Sequence, residues 1–171
     1  MKTKNISRLI VAFTLSVATA PLFANTLSVP PDSPAFTVDI PADWKPKSDK
    51  ADQSVETGDP GDHVYMTGWI RTKSDTNAET AADAEAVQRD SMKSVDKKSE
   101  EEIVENNGIK FHILKGSGLD KREGTKVNFF FAMFAAGPGK AGIFYVDYDA
   151  DAPEGITNTI VTIMKSIKLK S

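Results

Sequence analysis

The sequence predicts an α+β protein, a three-layer α/β/α sandwich in which two main helices cover an antiparallel sheet. Three observations carry this. The stretch Lys126 to Tyr148 is a pair of strand-length apolar arms around the breaker Gly137-Pro138-Gly139-Lys140. In its first arm Val127, Phe129, Phe131, Met133 and Ala135 alternate onto one face, with Phe130, Ala132 and Phe134 on the other. A strand apolar on both faces needs cover on both, which places this hairpin mid-sheet. Around it, four strand-like stretches follow one another through short turns, the pattern of an antiparallel meander. Finally, one helical segment precedes these strands and one follows them, so each face has a helix available.

The chain begins with Lys2, Lys4 and Arg8, followed by an apolar run from Leu9 to Ala20. That run falls short of the roughly 20 apolar residues a spanning helix needs. It reads as a secretory signal peptide over residues 1–24, with Leu22-Phe23-Ala24 as the cleavage site. No later segment is apolar enough to span a membrane, so the expectation is an exported, periplasmic or secreted protein without a membrane span. The sequence contains no Cys, which removes disulfides and the lipid-bearing cysteine of a bacterial lipoprotein. The net charge is −3, and removal of the three cations of the leader takes it to −6. An acidic chain without a basic stripe is unsuited to a phosphate backbone, so nucleic acid is not an expected partner.

Residues 25–34 carry three prolines and little pattern, and read as an extended N-terminal tail before a single domain over 35–171. In that domain Phe36, Val38 and Ile40 alternate with Thr37 and Asp39, a half-buried strand stopped by Pro41. Trp44 follows as a core plug. Lys45 to Lys50 reads as loop, Ala51 to Thr57 as a short edge strand, and Gly58-Asp59-Pro60-Gly61 as a turn. His63 to Lys73 is the next strand. Thr76 and Glu79 form a capping box for an Ala-rich helix from Asn77 to Val95. Its apolar stripe is thin. Ser99 to Glu105 and Ile109 to Lys115 flank Asn106-Asn107-Gly108, a tight hairpin signal, and Gly116-Ser117-Gly118 is expected to bend or bulge the second strand. The closing helix has Asp151 as its cap, Pro153 in its first turn, and a stripe of Ile156, Ile160, Ile163 and Ile167.

The run Phe36-Thr37-Val38-Asp39-Ile40-Pro41-Ala42-Asp43-Trp44 resembles the domain opening of the PsbP-like superfamily, strand, Pro, then Trp, and its small periplasmic DcrB-like members in particular. Asp43 stands where that family often has Gly. Ile163-Met164-Lys165-Ser166-Ile167-Lys168 is similar to the family's helix end, and the resemblance in element order extends from Ala35 to Lys170. It implies the fold and a habit of binding other proteins as an accessory, with no shared catalytic residues.

The residues themselves offer few chemistries. Asp147, Asp149 and Asp151 form a D-x-D-x-D run, but Ala152 and Asn158 stand where a calcium loop has Gly and Glu. His63 and His112 lie on different strands without ligand-spaced partners. There is no Cys nucleophile and no G-x-S-x-G, and the breaker at Gly137 opens a strand rather than a phosphate-binding helix. No cofactor is expected. His63, Tyr65, Thr67, Trp69 and Arg71 share one strand face, and Tyr65, Trp69 and Arg71 are candidate partner-binding residues, since such side chains recur in binding hot spots. The bland alternative is that this face lies under the Ala-rich helix.

The expected function is a non-enzymatic accessory protein of the bacterial envelope that binds another envelope protein. The alternative is a carrier of a small apolar ligand or lipid, in a pocket between the Ala-rich helix and the sheet. A hydrolase with a dispersed acid–base site has no motif behind it.

Overall fold

The computed structural model describes residues 23–50, 54–72, 77–98 and 102–170. The leader segment 1–22, the capping box at Thr76 and the first residues of the stretch expected to start at Ser99 lie outside these. Thirteen elements follow in order: β1 (Phe23–Val29), β2 (Phe36–Pro41), β3 (Lys47–Asp49), β4 (Ser54–Gly58), β5 (Val64–Thr72), α1 (Asn77–Ser91), β6 (Met92–Lys98), β7 (Glu102–Asn106), β8 (Ile109–Asp120), β9 (Lys126–Gly137), β10 (Lys140–Asp149), α2 (Glu154–Lys165) and β11 (Lys168–Leu169). The fold is α+β, mainly antiparallel sheet with two helices.

The strands form two sheets. A small one has the order β1-β2-β11; a large one runs β3-β4-β5-β10-β9-β8-β6, with β7 also paired to β8. The β9–β10 hairpin is internal to the large sheet, and its two faces feed two separate cores. On the first face Ala132, Phe134, Phe144 and Val146 meet Val29, Phe36, Val38 and Ile40 of the small sheet, Trp44, and Ile160 and Ile163 of α2. Phe36 lies 5.1 and 5.4 Å from Phe134 and Phe144, centroid to centroid. On the second face Val127, Phe129, Phe131 and Tyr145 pack with Met92, and Val87 of α1 lies against them. The strand that is apolar on both sides is thus covered on both sides. The layer on the first face is mixed, since a three-stranded sheet shares it with α2 where a helix alone was expected.

Several expectations need correcting. Residues 25–34 are not a tail: β1 pairs with β2 from Asn25↔Ile40 to Val29↔Phe36. The prolines that suggested a tail sit beyond Val29, while Leu27 and Val29 alternate with Thr26 and Ser28 as a strand should. Lys47–Asp49 is a strand rather than loop, and it covers β4, which is therefore not an edge. The helix ends at Ser91 instead of continuing to Val95, and Met92–Lys98 pairs with the second half of β8. Gly116-Ser117-Gly118 runs on in register with β9, and the irregularities fall in β6 instead. Gly118 is required because a side chain there would collide with the Ser94 carbonyl. Asp151 does not cap α2; Pro153 occupies the N-cap position without a side-chain hydrogen bond. The Asn107-Gly108 turn has positive φ at both residues (52° and 75°), as a two-residue hairpin requires.

Candidate functional site

Two concave features stand out, one on each side of the β9–β10 hairpin. The larger arises because the cover of the first face is narrower than the sheet. β1 lies over β4 and β5, and α2 follows beside the small sheet, so the region from β10 out to β7 is only partly roofed. What remains is a groove of about 550 Å³. Phe111, Ile113, Phe130 and Tyr148 form its floor, and Ile160, Val161 and Met164 of α2 its wall. At the mouth, Val104 and Val161 are 37% and 45% exposed. The volume and apolar lining are those of a small-molecule site.

The ends of the groove differ. At one end the tip of the β7–β8 hairpin is stitched to the end of α2, with the Asn106 and Asn107 side-chain amides both donating to the Lys165 carbonyl, at 3.0 and 3.1 Å. These bonds satisfy a helix C-terminal carbonyl that has no partner within the helix. At the other end stand Lys115, Asn128 and Thr157.

The second feature is a buried polar cluster. Asp120 ends β8 and accepts from the Thr125 N–H at 2.8 Å and the Glu123 N–H at 3.3 Å, closing the turn into β9. Burial would raise its pKa, but these backbone donors hold it below the ordinary value. Asp147 lies in β10 and is 3% exposed. Burial pushes its carboxyl up to about 6, against the opposing charge of Arg122. The guanidinium of Arg122 bridges both acids loosely, at 3.7 Å to Asp120 and 3.4 Å to Asp147. It also lies 5.4 Å over the Tyr65 ring. Tyr65 donates to Glu56 at 3.0 Å, and burial raises its hydroxyl to about 12. The Tyr145 hydroxyl is buried without a hydrogen-bond partner among the described residues. The cavity beside Asp120 and Asp147 measures about 40 Å³, room for little more than water.

Burial lets the Asp147 carboxyl keep its proton up to about pH 6, and both acids are engaged with Arg122. The D-x-D-x-D residues do not converge. Asp147 faces Arg122, Asp149 receives His63 Nδ1 at 3.1 Å, and Asp151 is exposed. Among the described residues no group of three His, Asp or Glu is placed to hold a metal ion.

Tyr65, Trp69 and Arg71 do share a face of β5, with Thr67 between them. Tyr65 and Trp69 pack half-buried against the second core, and Arg71 is half-buried and engaged. Trp44 is 3% exposed within the first core. The groove lies under α2, on the face opposite the Ala-rich helix; the first side chains of that helix, beside which a pocket was expected, are outside the described residues. Part of the groove's signal was present: Val161 and Met164 stand off the isoleucine stripe of α2, Val161 exposed and Met164 only partly packed against the first core.

No protein-family model matches the sequence, and no curated protein does. Solved structures do. Cyanobacterial PsbP (CyanoP) from Synechocystis sp. PCC 6803 aligns with a TM-score of 0.56 and 11% identity over 90% of this chain and 96% of that one. LpqN of Mycobacterium tuberculosis, described as involved in cell envelope biogenesis, aligns with a TM-score of 0.55 and 13% identity over 80% and 83%. A Bacteroides thetaiotaomicron VPI-5482 protein gives 0.55 and 13% over 81% of this chain; the alignment spans 47% of that longer protein. At such identities the likeness speaks for architecture alone: the chain has a PsbP-like fold.

Proposed function

We propose that the chain is a non-enzymatic, exported accessory protein of the bacterial envelope that holds a small apolar ligand in the groove between α2 and the sheet. One observation carries this reading. An apolar groove of about 550 Å³ stays open on the first face, while on the second face Met92, Val127, Phe129, Phe131 and Tyr145 form a closed core among the described residues. Core side chains normally pack to near-crystalline density, so an unfilled apolar groove beside exposed Val104 and Val161 is the feature that asks for an occupant. The leader-like first residues support export, and the likeness to an envelope-biogenesis protein supports the compartment.

The test is to purify the protein from envelope fractions under mild conditions, extract it with organic solvent, and identify the extract by mass spectrometry. A stoichiometric apolar compound is expected, and it should disappear when the mouth is blocked by Val161→Trp with Val104→Trp. An empty extract, together with no uptake of apolar probes, would sink the reading.

A protein partner is the second reading, and Ile103 favours it. This residue of β7 is 63% exposed, on a strand that pairs only with β8 among the described residues. An exposed apolar residue on an open strand edge suits strand addition by a partner. Crosslinking in cells that captures one envelope protein, and loses it with Ile103→Lys, would favour this reading over the carrier. The Tyr65, Trp69 and Arg71 face is a weaker place for such a partner, since Tyr65 and Trp69 already pack against the second core.

A further inference from the structure

The groove is polarised along its length, and this specifies the kind of molecule it takes. The inference rests on the groove being a ligand site, and it adds the class and orientation of the ligand. Strand register fixes the layout. The Asn106↔Ile109 pair marks one end, beside the last residue of α2, to which the hairpin tip is bonded. The Lys115↔Phe130 pair and the Ser117↔Asn128 pair lie progressively farther along β8, towards the first turns of α2 and Thr157. Between these ends the lining is apolar. The groove is therefore closed by the hairpin tip at one end, where Glu105, Asn106 and Lys165 line it, greasy in the middle, and polar again at the other.

Lys115 is the one charged residue lining the polar end. Its ammonium reaches Glu102 across the strand pair, and both side chains are about half exposed, at 54% and 53%. Exposed ion pairs of this kind contribute little net stability, because water screens them and long side chains lose freedom in forming them. An anionic group arriving at this end can thus share the Lys115 ammonium with Glu102. A cationic head would meet the same ammonium unfavourably. The half-buried Asn128 side chain and the Thr157 hydroxyl add neutral hydrogen-bonding capacity beside it.

We infer that the groove takes a single-chain amphiphile with an anionic head, the head at Lys115 and the tail directed towards the Asn106-Asn107 hairpin tip. The volume suits one apolar chain. At the hairpin end the charges of Glu105 and Lys165 are of opposite sign and the Asn106 amide is committed to the Lys165 carbonyl, whereas at the other end Lys115 is the charged lining residue, beside Asn128 and Thr157. The shared head chemistry is a carboxylate or a phosphate, as in a free fatty acid or a lysophospholipid.

The full-length mature protein is titrated by calorimetry with hexadecanoate, hexadecyl phosphate, hexadecanol and hexadecylamine, all below micelle concentrations. The expected order places both anions at least tenfold tighter than hexadecanol, with the amine weakest. Lys115→Gln should bring the anions down to the affinity of hexadecanol, while Lys165→Gln, at the closed end, should leave the preference for anions standing. Melting curves of both variants check that they fold. Tighter binding of the phosphate than the carboxylate would assign the head to a phospholipid source, and the reverse to a fatty acid. If hexadecanol binds as tightly as the anions, or Lys165→Gln rather than Lys115→Gln removes the preference, the inference on head and orientation fails while the groove remains a ligand site. If none of the four binds, the groove reading itself fails.

Discussion

The two faces of the β9–β10 hairpin are built from the same kinds of residue and finished differently. On the second face Phe129, Phe131 and Tyr145 close on one another, with Phe131 and Tyr145 at 4.8 Å and Met92 at 4% exposure alongside. On the first face Phe134 and Phe144 are equally well buried beneath Phe36, yet Phe130 and Ile113, on the same face, line an open groove. The difference lies in the cover. A three-stranded sheet and one helix are narrower than an eight-stranded sheet, and the uncovered margin falls at β7 to β9. Each face also has its own unusual feature: unfilled apolar space on the first, and a buried carboxyl within a polar cluster on the second.

The largest expected effect separates the filled and unfilled parts of the first face. Phe134→Ala should lower stability by about 3–5 kcal/mol, the usual cost of a large cavity in a packed core. Phe130→Ala should cost about 1 kcal/mol, because its side chain is only half withdrawn from water. Urea denaturation of both variants measures this, and equal losses would mean that the groove is as well filled as the core.

The second prediction concerns Asp147. Its pKa rises from 3.8 unfolded to about 6 folded, through burial first. Between those values the folded protein holds a proton that the unfolded chain has released. Stability therefore falls as pH rises through this window and levels off above about 6. At about 1.36 kcal/mol per pKa unit the loss is at most about 3 kcal/mol. Asp120, whose pKa is lowered, contributes in the opposite sense and only at more acidic pH. Denaturation at pH 4.5 and pH 7.5, in the native protein and in Asp147→Asn, should show the loss in the first and little of it in the second. An unchanged pH slope in the variant would assign the effect to another group.

A third prediction sets β5 against its neighbour. A side chain at Gly68 would run into the ring of Phe144, so Gly68→Ala should cost about 1–3 kcal/mol by overpacking the first face. Gly155 in α2 has open space around it, and Gly155→Ala should be neutral or slightly stabilising by helix propensity, by up to about 1 kcal/mol. A comparably small effect is expected at the closed end of the groove. Asn106→Ala removes one exposed hydrogen bond to Lys165 and should cost about 0.5–1 kcal/mol, read as a small shift in melting temperature.

Much of the fold was legible in the sequence where local signals agree with tertiary demand. The doubly apolar arm at Val127 to Ala135, the Asn107-Gly108 turn and the isoleucine stripe of α2 each have one reading, and each stands where it was expected. The misreadings share a cause. Met92 to Lys98 is polar and lacks Gly and Pro, so it reads as helix; it becomes a strand because the far half of β8 presents an edge to be paired. β1 was hidden by the prolines behind it, and β3 by its three exposed polar residues. The polar cluster left one trace, an aspartate at 147 directly after the apolar run Ile143 to Val146, though its partners Asp120 and Arg122 arrive from a turn that no periodicity connects to it. The groove was legible only in the second apolar column of α2, Val161 and Met164; the rest is a difference in width between two layers, and neither layer encodes that difference alone.

The most direct test of the account is a two-dimensional amide NMR spectrum of the protein, recorded while hexadecanoate is added. The account predicts shifts confined to the first face, at Val104, Phe111, Ile113, Phe130, Val161 and Met164, with Tyr65, Trp69 and Val87 on the second face unmoved. Shifts centred on Tyr65, Trp69 and Val87, or none at all at saturating ligand, would contradict it.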